Sequence, residues 1–106
     1  MRKITEESID AFMNATPFKK SNTEVKVLPN VTVLILFGNE IAYLYNDPSR
    51  TLSITNAGWK SDTTKERLNA LPNVSISQRT INNNGVKKKL WYLNDELWDG
   101  KLIDIV

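Results

Sequence analysis

The chain has 106 residues, 41% of them hydrophobic and 25% charged, with three Trp and neither Cys nor His, the composition of an ordinary globular domain. Without Cys or His it can form no thiolate or imidazole zinc site, no disulfide framework and no Ser-His or Cys-His nucleophile pair. The net charge of +2 hides an uneven distribution: residues 1–57 sum to zero, residues 58–90 carry seven basic side chains against Asp62 and Glu66, and the remaining residues are acidic through Asp95, Glu96, Asp99 and Asp104 against Lys101. This predicts a molecule polarised between a basic and an acidic region.

No apolar run approaches the ~20 residues that span a bilayer, and the start, MRKITEESID, turns polar and acidic where a signal peptide needs an apolar stretch. A single cytosolic domain over residues 1–106 is therefore expected, without a membrane partner. The first element reads as a short amphipathic helix capped by Thr5, with Glu6 and Glu7 at its positive end, Ile9, Phe12 and Met13 on one face, Ile4 and Ile9 placed as a hydrophobic staple, and Pro17 at its exit. Residues 19–24, KKSNTE, read as polar connection.

Residues 31–37 and 41–45 form two apolar, β-branched and aromatic runs around Gly38-Asn39-Glu40, the pattern of a β-hairpin. Val31, Val33, Ile35 and Phe37 share one face of the first run, yet Leu34 and Leu36 make the other face apolar too, so this strand is predicted to be central and covered by helix. Asn46-Asp47-Pro48-Ser49 is a turn, and residues 51–55 alternate as a half-exposed third strand. A second helix follows, with Thr63 and Glu66 spaced as a capping box, Leu68 and Leu71 as its buried stripe and Pro72 as its stop. Residues 74–77 alternate, Asn84-Gly85 is the strongest hairpin signal in the chain, and residues 88–93 return as a strand. Asp99-Gly100 proposes a last turn before a terminal strand over residues 101–106. The sum is an α+β domain: an antiparallel sheet of five or six strands packed with two short helices.

Several segments carry a resemblance: Gly38-Asn39-Glu40-Ile41-Ala42, the run from Gly58-Trp59 through Thr63-Thr64-Lys65-Glu66-Arg67-Leu68-Asn69 to Leu71, and the closing Trp91-Tyr92-Leu93-Asn94 with Trp98-Asp99-Gly100. Together they make the chain resemble a family of small, functionally unassigned tailed-bacteriophage proteins. The resemblance implies a phage origin and expression in the infected bacterial cytoplasm, and it carries over no catalytic residue.

Three motifs bear on function. In residues 58–71 a Gly-Trp elbow leads into a helix start bearing Thr63, Thr64 and Lys65, with Arg67 behind, which is suited to an anion. Asp62 and Glu66 oppose that reading, and the favoured expectation is that Trp59 packs in the core beside Leu68 and Leu71 while Thr63 and Glu66 cap. No Gly-rich loop accompanies it, so it is not a Walker motif and no cofactor is expected. Lys87-Lys88-Lys89-Leu90-Trp91-Tyr92 combines cations suited to a phosphate backbone with aromatics suited to bases. Alternation sends Lys87, Lys89 and Trp91 to one face and Lys88, Leu90 and Tyr92 to the other, so edge-strand protection is the competing account. The acidic tail places its carboxylates around turns, which is a poor arrangement for metal or acid-base chemistry.

The expected function is that of a non-enzymatic phage accessory protein acting by binding. In the favoured form it contacts nucleic acid through Lys60, Lys65, Arg67, Lys87, Lys88 and Lys89, with Tyr92 stacking on a base; in the alternative it binds and modulates a host bacterial protein. The structural criterion for a basic patch is whether those cations converge on one exposed face.

Overall fold

The computed structural model describes residues 2–105. It contains two helices and nine strands: α1 (Lys3–Met13), β1 (Phe18–Lys20), β2 (Thr23–Val27), β3 (Val31–Leu36), β4 (Asn39–Tyr45), β5 (Leu52–Ile54), α2 (Asp62–Asn69), β6 (Ile76–Asn83), β7 (Val86–Leu93), β8 (Glu96–Trp98) and β9 (Ile103–Ile105). An antiparallel six-stranded sheet runs in the order β1-β2-β3-β4-β5-β9, and β6-β7-β8 form a separate antiparallel sheet of three strands. The fold is the expected α+β domain with a sheet of about six strands and two short helices. The second sheet goes beyond it.

The turns explain much of this order. Leu36 pairs with Asn39, Asn83 with Val86 and Leu93 with Glu96, so Phe37-Gly38, Asn84-Gly85 and Asn94-Asp95 are two-residue connections. Every one of these six residues has positive φ, between 49° and 80°, which is the backbone of a type I′ turn and suits the right-handed twist of the strands. Residues 19–24 are not plain connection as expected. They belong to a further hairpin, β1–β2, whose Phe18↔Val25 pair supplies its apolar contact, while its short polar strands lack the alternation that would reveal them in sequence.

β3 is central, as its two apolar faces predict. Leu34 and Leu36 look into the core under the helices, while Val33 and Ile35 are buried on the opposite face, where Lys26, Tyr43, Glu24 and Glu40 are their register partners. Between Leu34 and Ile35 the register shifts, leaving Ile41 as the extra residue of a β-bulge. Both Ile41 and Ala42 are consequently buried. β5 is buried along its whole length instead of half-exposed, because β4 and β9 flank it and Ser53 donates a hydrogen bond to Asp104.

One hydrophobic cluster joins α1 (Ile9, Phe12), the six-stranded sheet (Val25, Leu34, Leu36, Ile54), α2 (Leu68) and the three-stranded sheet (Ile76, Trp91, Trp98). The helix starts differ from expectation. Thr5 does not cap α1; Arg2 holds that position without a side-chain cap, and the buried Thr5 hydroxyl reaches across to α2. The Thr63–Glu66 capping box is likewise not formed, because Ser61 is the N-cap of α2 and accepts from the Thr64 N–H at 3.2 Å, which leaves Glu66 free for partners on α1.

Gly100 fixes the turn that follows β8. Its carbonyl accepts from the Asn56 N–H at 3.0 Å and from the Thr55 hydroxyl at 2.7 Å, and its φ is +87°. A Cβ at this position would overlap the Asn56 side chain, which is buried and itself accepts from the Gly58 N–H at 2.8 Å. Gly100→Ala is expected to destabilise the fold by ~2 kcal/mol or more in chemical denaturation, because both the backbone conformation and the space are wrong for a side chain.

Candidate nucleic-acid interface

The hairpin β6–β7 continues well past the core. Ile76, Trp91 and Leu93 at its base are buried, whereas residues 79–89 are exposed throughout. This outer part is a two-stranded ribbon with Asn84-Gly85 at its tip. It carries Arg79, Lys87, Lys88 and Lys89, together with Asn82, Asn83 and Asn84, and no acidic residue occurs between Glu66 and Asp95.

Register sorts its side chains. Lys87 and Lys89 lie on the face of Thr80, Asn82 and the buried Trp91, while Lys88 shares the opposite face with Arg79, Ile81, Val86, Leu90 and Tyr92. Lys60, in the loop before α2, extends its Nζ to the backbone carbonyl of Lys89 at 3.3 Å, so that loop is tied to the ribbon. Lys60 thus lies beside the Lys89 backbone, Lys87 shares a strand face with Lys89, and Lys88 and Arg79 face the other way.

The remaining expected contacts do not join them. Arg67 is 1% exposed and leaves the set of surface cations: its guanidinium donates to the Thr5 hydroxyl, to Thr23 Oγ1 at 3.3 Å and to Glu66 Oε1 at 2.9 Å. Lys65 is half-buried on α2 and pairs at 3.7 Å with Asp62. Tyr92 is half-buried, and the Arg79 guanidinium lies 4.3 Å from its ring centroid, so the ring face expected to meet a base is already occupied by a cation. The six cations therefore do not form one flat patch. Arg79 replaces Arg67 in the exposed basic set, and only its place in the basic stretch signalled this in sequence.

Trp59 is the second correction. It is 61% exposed, whereas Trp91 and Trp98 are buried with their rings tilted by 32° and their centroids 6.3 Å apart. Trp59 borders a pocket of about 330 Å³ whose other wall is Phe37, itself 65% exposed. Among the described residues no group of three Asp or Glu is placed to hold a metal ion, and no helix is long and apolar enough to cross a membrane.

The architecture defines a small α+β protein that displays a basic β-ribbon beside an aromatic-walled pocket. The chain belongs to the Kyanoviridae Gp96 protein family, which matches residues 1–102, and it is thus a tailed-bacteriophage protein whose family likeness covers nearly the whole chain. No curated protein and no solved structure matches it.

Proposed function

We propose that this phage protein acts by contact rather than catalysis, binding nucleic acid in the infected cell's cytoplasm through the β6–β7 ribbon. The observation that carries this reading is the ribbon itself: an exposed two-stranded element with cations on both faces and no carboxylate to oppose a phosphate. A groove of a duplex has phosphates along both walls, and the major groove is wide enough for a two-stranded ribbon. Cations split between two faces suit such a groove, although they would not suit a flat surface. Lys60 at the ribbon's base adds a further phosphate contact.

Fluorescence anisotropy with single- and double-stranded DNA tests this. Affinity is expected to fall steeply between ~50 and ~200 mM salt, and the triple variant Lys87→Glu, Lys88→Glu, Lys89→Glu should lower the slope of log K against log salt by about 2 to 3 while weakening binding to all sequences alike. No binding to either form at ~50 mM salt overturns the reading.

A host protein partner is the second reading, favoured by one observation. Ile81, Val86 and Leu97 are 43%, 65% and 64% exposed on the same face of the three-stranded sheet as Tyr92, an apolar face that a protein surface would cover. Capture from host lysate that survives nuclease treatment and is lost in Val86→Asp supports that partner, and capture that disappears with nuclease counts against it.

A further inference from the structure

The pocket beside the ribbon has walls built against local preference. Phe37 is the first residue of a type I′ turn, at φ 50°, where Asn is favoured and a bulky side chain is an outlier. The same chain uses Asn at the equivalent place in both its other such turns, Asn84-Gly85 and Asn94-Asp95. The opposite wall repeats the anomaly: Ala57 at φ 55° and Gly58 at φ 85° form a turn closed by the Trp59 N–H on the Asn56 carbonyl at 2.9 Å, and it holds out an exposed indole. Two positive-φ turns thus meet at one pocket, and each holds a large aromatic out to solvent, apolar surface that is left unpacked and that a bound partner would cover.

The lining specifies that partner's chemistry. Leu36 and Ile41 make an apolar floor, Phe37 and Trp59 flat walls, and Asn39 and Asn56 contribute side-chain amides; no charged residue lines the pocket. A planar, neutral, hydrogen-bonding ring fits such a site. The nearest cation in sequence, Lys60, follows Trp59 directly and extends its Nζ to the Lys89 carbonyl of the ribbon at 3.3 Å, so one residue separates the indole from a cation that reaches the ribbon. We propose that this pocket takes one unpaired nucleobase of a single-stranded nucleic acid, stacked on Trp59 and faced by Phe37, with the adjoining phosphate neutralised by Lys60. This rests on the ribbon reading for its phosphate contacts, and it adds to the duplex groove a separate demand, an unpaired base such as a single-stranded flank supplies, because a paired base cannot enter the pocket.

Intrinsic fluorescence tests it directly, since Trp91 and Trp98 are buried and Trp59 alone is open to a stacking base. Titration with a single-stranded oligonucleotide is expected to quench emission more than the duplex of the same sequence. Trp59→Phe should abolish the quench, and Trp59→Ala should weaken single-strand binding about tenfold or more, the range of one lost base stack. Phe37→Asn is the second variant: it restores favoured turn chemistry, so the midpoint of thermal unfolding should rise while single-strand affinity falls. If Trp59→Phe and Phe37→Asn both keep the quench and the affinity while the triple lysine variant loses binding, the pocket proposal is overturned and the ribbon reading stands. If oligonucleotides fail to bind yet a mononucleotide quenches Trp59, the base site stands and the ribbon reading fails. If neither mononucleotide nor oligonucleotide quenches Trp59, the pocket is not a base site.

Discussion

Trp91→Ala is expected to lower stability by about 3 to 5 kcal/mol, the range for deleting a large aromatic from a core, while Trp59→Ala should change it by less than about 1 kcal/mol. Trp91 has no exposed surface, packs on Trp98 and donates its indole N–H to Gln78 Oε1 at 3.2 Å. It sits where the three-stranded sheet joins the common core, so truncation opens a cavity at that junction and leaves the Gln78 oxygen without its donor. Small domains have only about 5 to 15 kcal/mol in total, and the loss is a large part of that. Urea denaturation of both variants checks the contrast; a small effect at Trp91, or a large one at Trp59, would contradict the packing described.

The second large effect concerns Arg67. Glu66→Gln is expected to cost about 2 kcal/mol at neutral pH, because a guanidinium with 1% exposure loses its counter-charge, while the part-exposed position of Glu66 and the oxygen that Gln retains keep the loss below that of a fully buried pair. Glu66 receives hydrogen bonds from Thr5, Arg2 at 3.0 Å and Arg67 at 2.9 Å, which tie α2 to α1. The Thr5 hydroxyl first, and then Arg2 and Arg67, hold its carboxyl below the ordinary carboxylate range, although partial burial acts the other way. Burial and the nearby Arg2 lower the Arg67 pKa, yet a guanidinium starts so high that it stays charged at any working pH. For Glu66 the folded pKa lies below the unfolded one. Its stabilising contribution is therefore complete above the ordinary carboxylate pKa and is lost as pH falls through the folded value. The stability difference between the natural protein and Glu66→Gln should accordingly be constant near neutrality and shrink in acid. Denaturation midpoints from pH 7 down to pH 3 measure this, and a difference that grows toward acid would refute the assignment.

How much of this was legible depended on the range of the interactions involved. Asn84-Gly85 marks its turn without help, because the required backbone is local chemistry, and Pro72 ends the α2 region for the same reason. Phe37-Gly38 hides an identical turn behind a residue that breaks the preference. The choice of which Trp is buried was not local at all: Trp59 and Trp91 each stand among mixed neighbours, and only the packing of α2 between β4 and β6 decides between them. Arg67 illustrates the limit most clearly. Within Lys65-Glu66-Arg67 it has the appearance of a solvated cation, and its burial depends on Thr5 and Thr23, which belong to elements distant in the chain. The spacing of Thr63 and Glu66 imitated a capping box, while the residue that caps, Ser61, stood two places earlier. The basic ribbon was legible as composition, but the division of its lysines between faces required the register.

β9 has a consequence for how the protein is made. β5 is a three-residue strand with every residue buried, and β9 supplies its second neighbour. During synthesis from the N-terminus, β1 to β5 emerge and can pair in sequence, yet β5 then presents an apolar, unpaired edge until the distant residues Ile103–Ile105 leave the ribosome. An open apolar edge recruits other strands. The nascent chain thus passes through a stage in which a fully buried strand is the sheet's edge, a place that β9 with its charged Asp104 takes in the finished molecule, and translation speed between β5 and β9 sets how long that stage lasts.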